Sequence, residues 1–197
     1  MSFYSKLEAI NTVLLESGEH LVNDLSSNQG VDTSVAQFIL SQNIKLYVSR
    51  GLVSNRFKTI INPDSLGKIY LPTDACFAQV VELLLDPTTN QPIMTSIMQS
   101  PTRLYNLTNQ TDVFTKALEI DVIVNQDWEN IEANMQKAII AATSRDYQRI
   151  TQGDKDIDRA LAEKENKAVM RGRAADIHKK QRNLFTRVFS VWNPRIG

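Results

Sequence analysis

The 197-residue sequence predicts an α+β fold: a four-helix bundle-like domain, a small antiparallel β unit inserted into it, and a C-terminal extension. Three observations support that class. Apolar residues recur at helical spacing over the first fifty positions. The pattern then changes to short β-branched or aromatic runs between turn clusters, and helical spacing returns at Asp127. With 42% hydrophobic and 22% charged residues the chain can bury a core without disulfides, and it falls outside disordered and membrane-spanning compositions.

Phe3, Leu7, Ile10 and Leu14 share one face of a first helix, for which Gly18 is the stop. The run 26–30 is turn-forming, and Asp32 or Thr33 can cap a second helix whose buried stripe reads Val35, Phe38, Ile39 and Leu46. Gly51 closes it, with Arg50 suiting the negative helix end. Residues 57–61, 69–71 and 79–85 read as strands separated by turns at 62–67 and 86–92. Leu118, Ile120, Val122 and Val124 alternate with polar residues as in a half-buried strand, and 104–107 is its expected hairpin partner across the polar turn 108–112.

Asp127 is a good N-cap for a third helix with Trp128, Ile131, Met135, Ala138, Ile139 and Ala142 in one stripe. Gly153 ends it, and Asp154 starts a fourth helix with Asp156 and Asp158 at its positive end and a stripe of Ile157, Ala160, Leu161 and Ala168. The expected core contains Leu7, Ile10, Leu14, Phe38, Ile39, Leu46, Trp128, Ile131, Met135 and Ile139. Residues 1–55 and 125–182 therefore form a discontinuous helical domain, 56–124 an inserted β domain, and 183–197 a tail.

Catalytic constellations are absent: two histidines and one cysteine complete no zinc motif, and neither phosphate-binding glycine loops nor a nucleophile elbow occurs. No enzyme activity, metal or cofactor is expected. Asp154, Asp156, Asp158 and Glu165 stand at calcium-loop positions 1, 3, 5 and 12, but Arg159 occupies the position that needs glycine, so acids at a helix start are the simpler reading. No span is apolar enough for a bilayer, Met1–Ile10 has no leader-like pattern, and the lone Cys76 suits a reducing compartment.

The neutral total hides an asymmetry. Residues 171–197 hold seven Lys/Arg against one acid, so the rest of the chain carries a net −6. Phe185, Val188, Phe189 and Trp192 sit at i, i+3, i+4 and i+7 with Leu184 at the edge, flanked by Arg182, Arg187 and Arg195. These eight residues are the candidate partner-docking site. The alternative reading is a cytoplasmic nucleic-acid-associated protein that uses the basic C-terminal segment.

The run Leu7-Glu8-Ala9-Ile10-Asn11-Thr12-Val13-Leu14-Leu15-Glu16-Ser17-Gly18-Glu19 resembles the first helix of the tail tubular protein A family of T7-like podoviruses. Val35–Gly51 is similar to that family's second helix, with Leu52 where a Trp is usual, and Ile69-Tyr70-Leu71-Pro72-Thr73-Asp74 matches its Ile-x-Leu-Pro-x-Asp block. The resemblance covers most of residues 5–180. It implies a structural adaptor, or gatekeeper, of the virion head-to-tail junction, assembled in the host cytoplasm. Such a protein forms a homo-oligomeric ring of twelve copies between the portal protein and the tail nozzle protein. A tail fibre attaches nearby, and genomic DNA passes through the channel. The resemblance implies no cofactor, no catalysis and no membrane partner.

Overall fold

The computed structural model describes residues 3–26, 30–81, 95–99 and 102–192, with residues 97–99, 176 and 179–192 described as backbone. Its elements are α1 (Lys6–Glu16), α2 (Val31–Val48), β1 (Arg56–Ile61), β2 (Ala75–Val80), β3 (Thr95–Gln99), β4 (Thr102–Asn106), β5 (Leu118–Val124), a 3-10 turn (Trp128–Asn130), α3 (Ala133–Thr151) and α4 (Lys155–Trp192). This is the α+β class expected. The chain divides into two compact units, Met1–Tyr47 with Gln126–Gly197, and Val48–Asn125.

In the first unit, Ser5 opens α1 with a capping box: its hydroxyl accepts from the Glu8 N–H, and the Glu8 carboxylate accepts from the Ser5 N–H at 2.7 Å. Gly18 ends the helix at φ +74°, where the Glu19 N–H reaches the Leu14 carbonyl and the Gly18 N–H reaches that of Leu15. Ala9, Ile10, Val13 and Leu14 are buried, and Leu7 half-buried. Phe3 precedes the helix and is exposed, so it does not extend the stripe.

α2 starts at Val31, which leaves Asp32 and Thr33 inside its first turn rather than at its cap. Its buried face is also not the expected one. Thr33, Ala36, Leu40, Asn43 and Tyr47 point inward with Ile39, whereas Phe38 and Leu46 are 64% and 49% exposed. Val35 is half-buried. The reason is that apolar residues surround this helix almost completely, so hydrophobicity does not select a face. Fit selects it instead: the Asn43 amide donates to Asp146 at 3.0 Å and to Thr143 at 3.4 Å on α3, and Ala36 leaves room for close approach.

Trp128, Ile131, Met135, Ala138, Ile139 and Ala142 are all buried as expected, yet they do not share one helix. Asp127 precedes a single 3-10 turn, Ile131 and Glu132 are extended (ψ 134° and 140°), and α3 begins only at Ala133. α4 packs on α3 and runs unbroken from Lys155 to Trp192. At about 1.5 Å per residue, its 38 residues span about 57 Å. The helical spacing of Phe185, Val188, Phe189 and Trp192 thus belongs to the end of α4. Within its stripe Leu161 is buried and Ala168 half-buried, but Ile157 and Ala160 are exposed.

Among the described residues the second unit holds two antiparallel sheets, one ordered β1-β5-β2 and the other β3-β4. β5 is the central strand: Leu118, Ile120 and Val122 point into a core with Ile69, Leu71, Ala78, Leu104 and Phe114. The 104–107 segment is therefore not β5's hairpin partner, because β4 pairs with β3 from Thr95↔Asn106 to Gln99↔Thr102. Adjacency across the turn misled the sequence reading, since Asn106 and Thr111 close that turn on themselves. Residues 69–71 form no strand and contribute one isolated bridge, Tyr70↔Arg103. Of the strand expected at 79–85, residues 79 and 80 end β2 (Ala75–Val80), while 82–85 and the turn at 86–92 fall outside the described residues.

Buried Asn55 fastens both ends of this unit. Its amide donates to the carbonyls of Val48 and Val124 at 3.0 and 2.7 Å and accepts from the Leu52 N–H at 2.6 Å. Gly51, at φ +78°, meets Ile123 so closely that a Cβ would lie 2.8 Å from its Cδ1.

Two stability predictions follow from these positions, both read by urea unfolding. Leu40→Ala should cost about 2–5 kcal/mol through the cavity it leaves, while Phe38→Ser stays within about 0.5 kcal/mol because the site is solvated. The reverse ranking would restore the stripe expected from sequence. Gly51→Ala should cost more than about 1 kcal/mol, since Ala meets both the positive φ and Ile123.

Candidate partner interface

The backbone of α4 carries Arg182, Leu184, Phe185, Arg187, Val188, Phe189 and Trp192 on one continuous helix, and their side chains lie outside the described ones. Arg195 lies outside the described residues altogether. Upstream on the same helix, Met170 and Ile177 are exposed large apolar side chains one heptad apart.

A second surface is a groove of about 560 Å³ lined by α1, α3 and α4. Buried Ile140 and Ala141 of α3 and the small Ala160 and Ala168 of α4 give it an apolar base. Four cations line it: Lys137 from α3 and Lys164, Lys167 and Arg171 from α4, against one lining acid, Glu163. The spacing 160, 163, 164, 167, 168 and 171 places the α4 contribution on one helical face. Lys164 pairs with Glu16 of α1, Lys167 with Glu163 at 2.6 Å, and the Lys137 ammonium stands 5.9 Å over the Tyr4 ring. The i, i+3, i+4, i+7 pattern was visible in α4, but the facing walls from α1 and α3 are tertiary.

A third surface is a shallower groove where exposed Phe38 and Leu46 of α2 stand beside Arg149 and exposed Ile150 of α3. The carboxylates at the start of α4 have separate structural roles. Asp154 accepts from the N–H groups of Asp156 and Ile157, which makes it the cap. Asp158 accepts from Arg145 at 2.9 Å and Arg149 at 2.7 Å, and Glu165 accepts from Arg145 at 2.9 Å. These hydrogen bonds hold the Asp158 carboxyl below its usual range and the Arg145 guanidinium above its own. Two of the four carboxylates at the calcium-like spacing, Asp158 and Glu165, are thus paired with arginine, and among the described residues no group of three or more His, Cys, Asp or Glu could hold a metal.

On α3 the buried Tyr147 phenol is pushed up to about 12, first by desolvation and then by the negative charges of Asp32 and Glu19.

Two comparisons with known proteins bear on these surfaces. A family model described as tail tubular protein matches residues 7–183. No curated protein matches the chain. Among the described residues no helix is long and apolar enough to cross a membrane.

The ion cluster predicts a pH dependence. Because Asp158 titrates lower when folded, its stabilisation is complete above its usual value of 3.8 and is lost as pH falls through the depressed folded-state value. Asp158→Asn should therefore lower the melting temperature at pH 7, with the gap from wild type closing as pH drops below the ordinary carboxylate range. A gap that stays constant down to about pH 2 would contradict the pairing.

Proposed function

The chain belongs to the tail tubular protein family, which makes it a structural protein of the viral tail, and from that premise we propose that it is the head-to-tail adaptor. In this reading it closes into a ring between the portal protein and the tail nozzle protein, and the genome passes through the ring's channel without sequence-specific binding. A chain with one heterologous interface forms a ring when its rotation closes. The body's net −6 favours sliding over adhesion of DNA, because binders show the opposite sign. The β unit, by the same reading, supplies a second contact surface for the nozzle or a fibre through tips such as 108–112.

The observation that supports the docking role best is the continuity of α4. Exposed Met170 and Ile177 lead by heptad spacing to Leu184 in the sequence, so one helix carries an apolar series toward the aromatic residues 185–192. The three aromatics Phe185, Phe189 and Trp192 could cover roughly 500 Å² on a partner, which is about as large an apolar patch as a soluble monomer tolerates. Arg182, Arg187 and Arg195 would orient the contact through acidic groups on the partner, more than strengthen it.

Truncation after Gln181 tests this reading. The shortened chain should keep nearly normal thermal stability and fail to join either the ring or the portal, as measured by light scattering and co-sedimentation. A large loss of stability in the isolated monomer would show instead that the segment folds back on its own unit.

A further inference from the structure

We infer that the groove of lysines between α1 and α4 is the receiving half of a joint between copies, and that it takes the acidic connection following α1, residues 19–26, of the neighbouring copy. The inference rests on the ring reading and deepens it by naming the two faces that meet.

Charge selects the occupant. Lys137, Lys164, Lys167 and Arg171 line the groove over an apolar base; Glu16 and Glu163 pair with two of them, which leaves a net +2, so the complementary segment carries carboxylates beside an apolar side chain. Between Lys6 and Lys45 the chain has no Lys or Arg and five acids, Glu8, Glu16, Glu19, Asp24 and Asp32. Within that stretch the connection after α1 presents Leu21, 58% exposed, between Glu19 and exposed Asp24. Hydrogen bonds from Ser26 hold the Asp24 carboxyl below its usual range. The other apolar segment available, 182–196, has Arg182, Arg187 and Arg195 and no acid, so it would be repelled by the groove.

Placement agrees with a head-to-tail contact. The connection lies against α1 through Asn11, whose side chain exchanges two 2.9 Å hydrogen bonds with the Val22 backbone. The groove lies against the same helix through Thr12, and α4 reaches it through the Glu16–Lys164 pair. At 3.6 residues per turn, Asn11 stands roughly 100° from Thr12 and 140° from Glu16 around α1. The acidic and basic faces are therefore on different flanks of one helix. A single copy cannot bring them together, whereas a heterologous interface joins the acidic flank of one copy to the basic flank of the next.

The test is charge reversal in the full chain. Lys167→Glu with Arg171→Glu reverses the groove, and Glu19→Lys with Asp24→Lys reverses the connection. Self-association, read by light scattering and sedimentation over a concentration series, should weaken about tenfold or more in each double variant alone. Mixing the two variants should restore wild-type assembly in strict alternation, because each then offers the sign the other needs. Recovery on mixing also proves that both variants are folded. Wild-type assembly by either variant alone would overturn the inference. So would loss of assembly in the groove variant with no loss in the other, which would assign the groove to another acidic segment. Two variants that each fail to assemble and remain apart when mixed would overturn it too. A wild-type chain that stays monomeric at every concentration and with portal protein present would overturn the ring reading itself.

Discussion

One buried glutamine fixes the first unit. Gln136 is fully enclosed on α3, where its carbonyl accepts from the Tyr4 N–H at 2.9 Å and its amide donates to the Trp128 carbonyl at 2.9 Å. The Trp128 indole completes the triangle by donating to the Tyr4 carbonyl at 2.6 Å. Residues separated by 124 positions in sequence are thereby locked together, just where the chain returns from the β unit. Each of these groups is costly to leave unpaired in a dry interior, on the order of 1–3 kcal/mol. The clamp also accounts for the break before α3, since the Trp128 carbonyl is committed to Gln136 and to the Ile131 N–H.

With α1 and α3 joined this way, the remaining surfaces follow from how α4 is attached. Gly172 packs where a side chain would meet Met135 at 3.3 Å, so α4 comes close to the start of α3. At the other end Arg145 and Arg149 grip Asp158, and Arg145 also grips Glu165. Between those two attachments α1 and α4 both rest on α3 and leave the groove of lysines open. Past Gly172 the helix continues for another twenty residues to Trp192. The described architecture therefore has two distinct features on one unit, a groove lined by cations and a long terminal helix.

Much of this was legible in the sequence, and the failures are instructive. Caps and stops were read correctly at Gly18, Gly51 and Asp154 because their chemistry is local: a positive φ or a side chain that accepts the first helical N–H groups. The stripe from Trp128 to Ala142 identified buried residues correctly but not their helix, since periodicity does not register a turn whose side chains stay inward. α2 failed for the opposite reason. Its apolar residues cover every face, and the burial of polar Asn43 depends on Thr143 and Asp146, a hundred residues away. Strand pairing failed in the same way, because β5's true neighbours, β1 and β2, are remote in sequence. The groove of lysines required three helices to be placed before its cations could be seen to converge.

As proposed, this tail protein works as a closed assembly at the virion's head-to-tail junction. Cryo-electron microscopy of the full chain mixed with its portal protein tests it most directly. The account predicts a closed ring seated on the portal with an open central channel. A chain that remains monomeric in that mixture, or that forms an open filament with no channel, would contradict it.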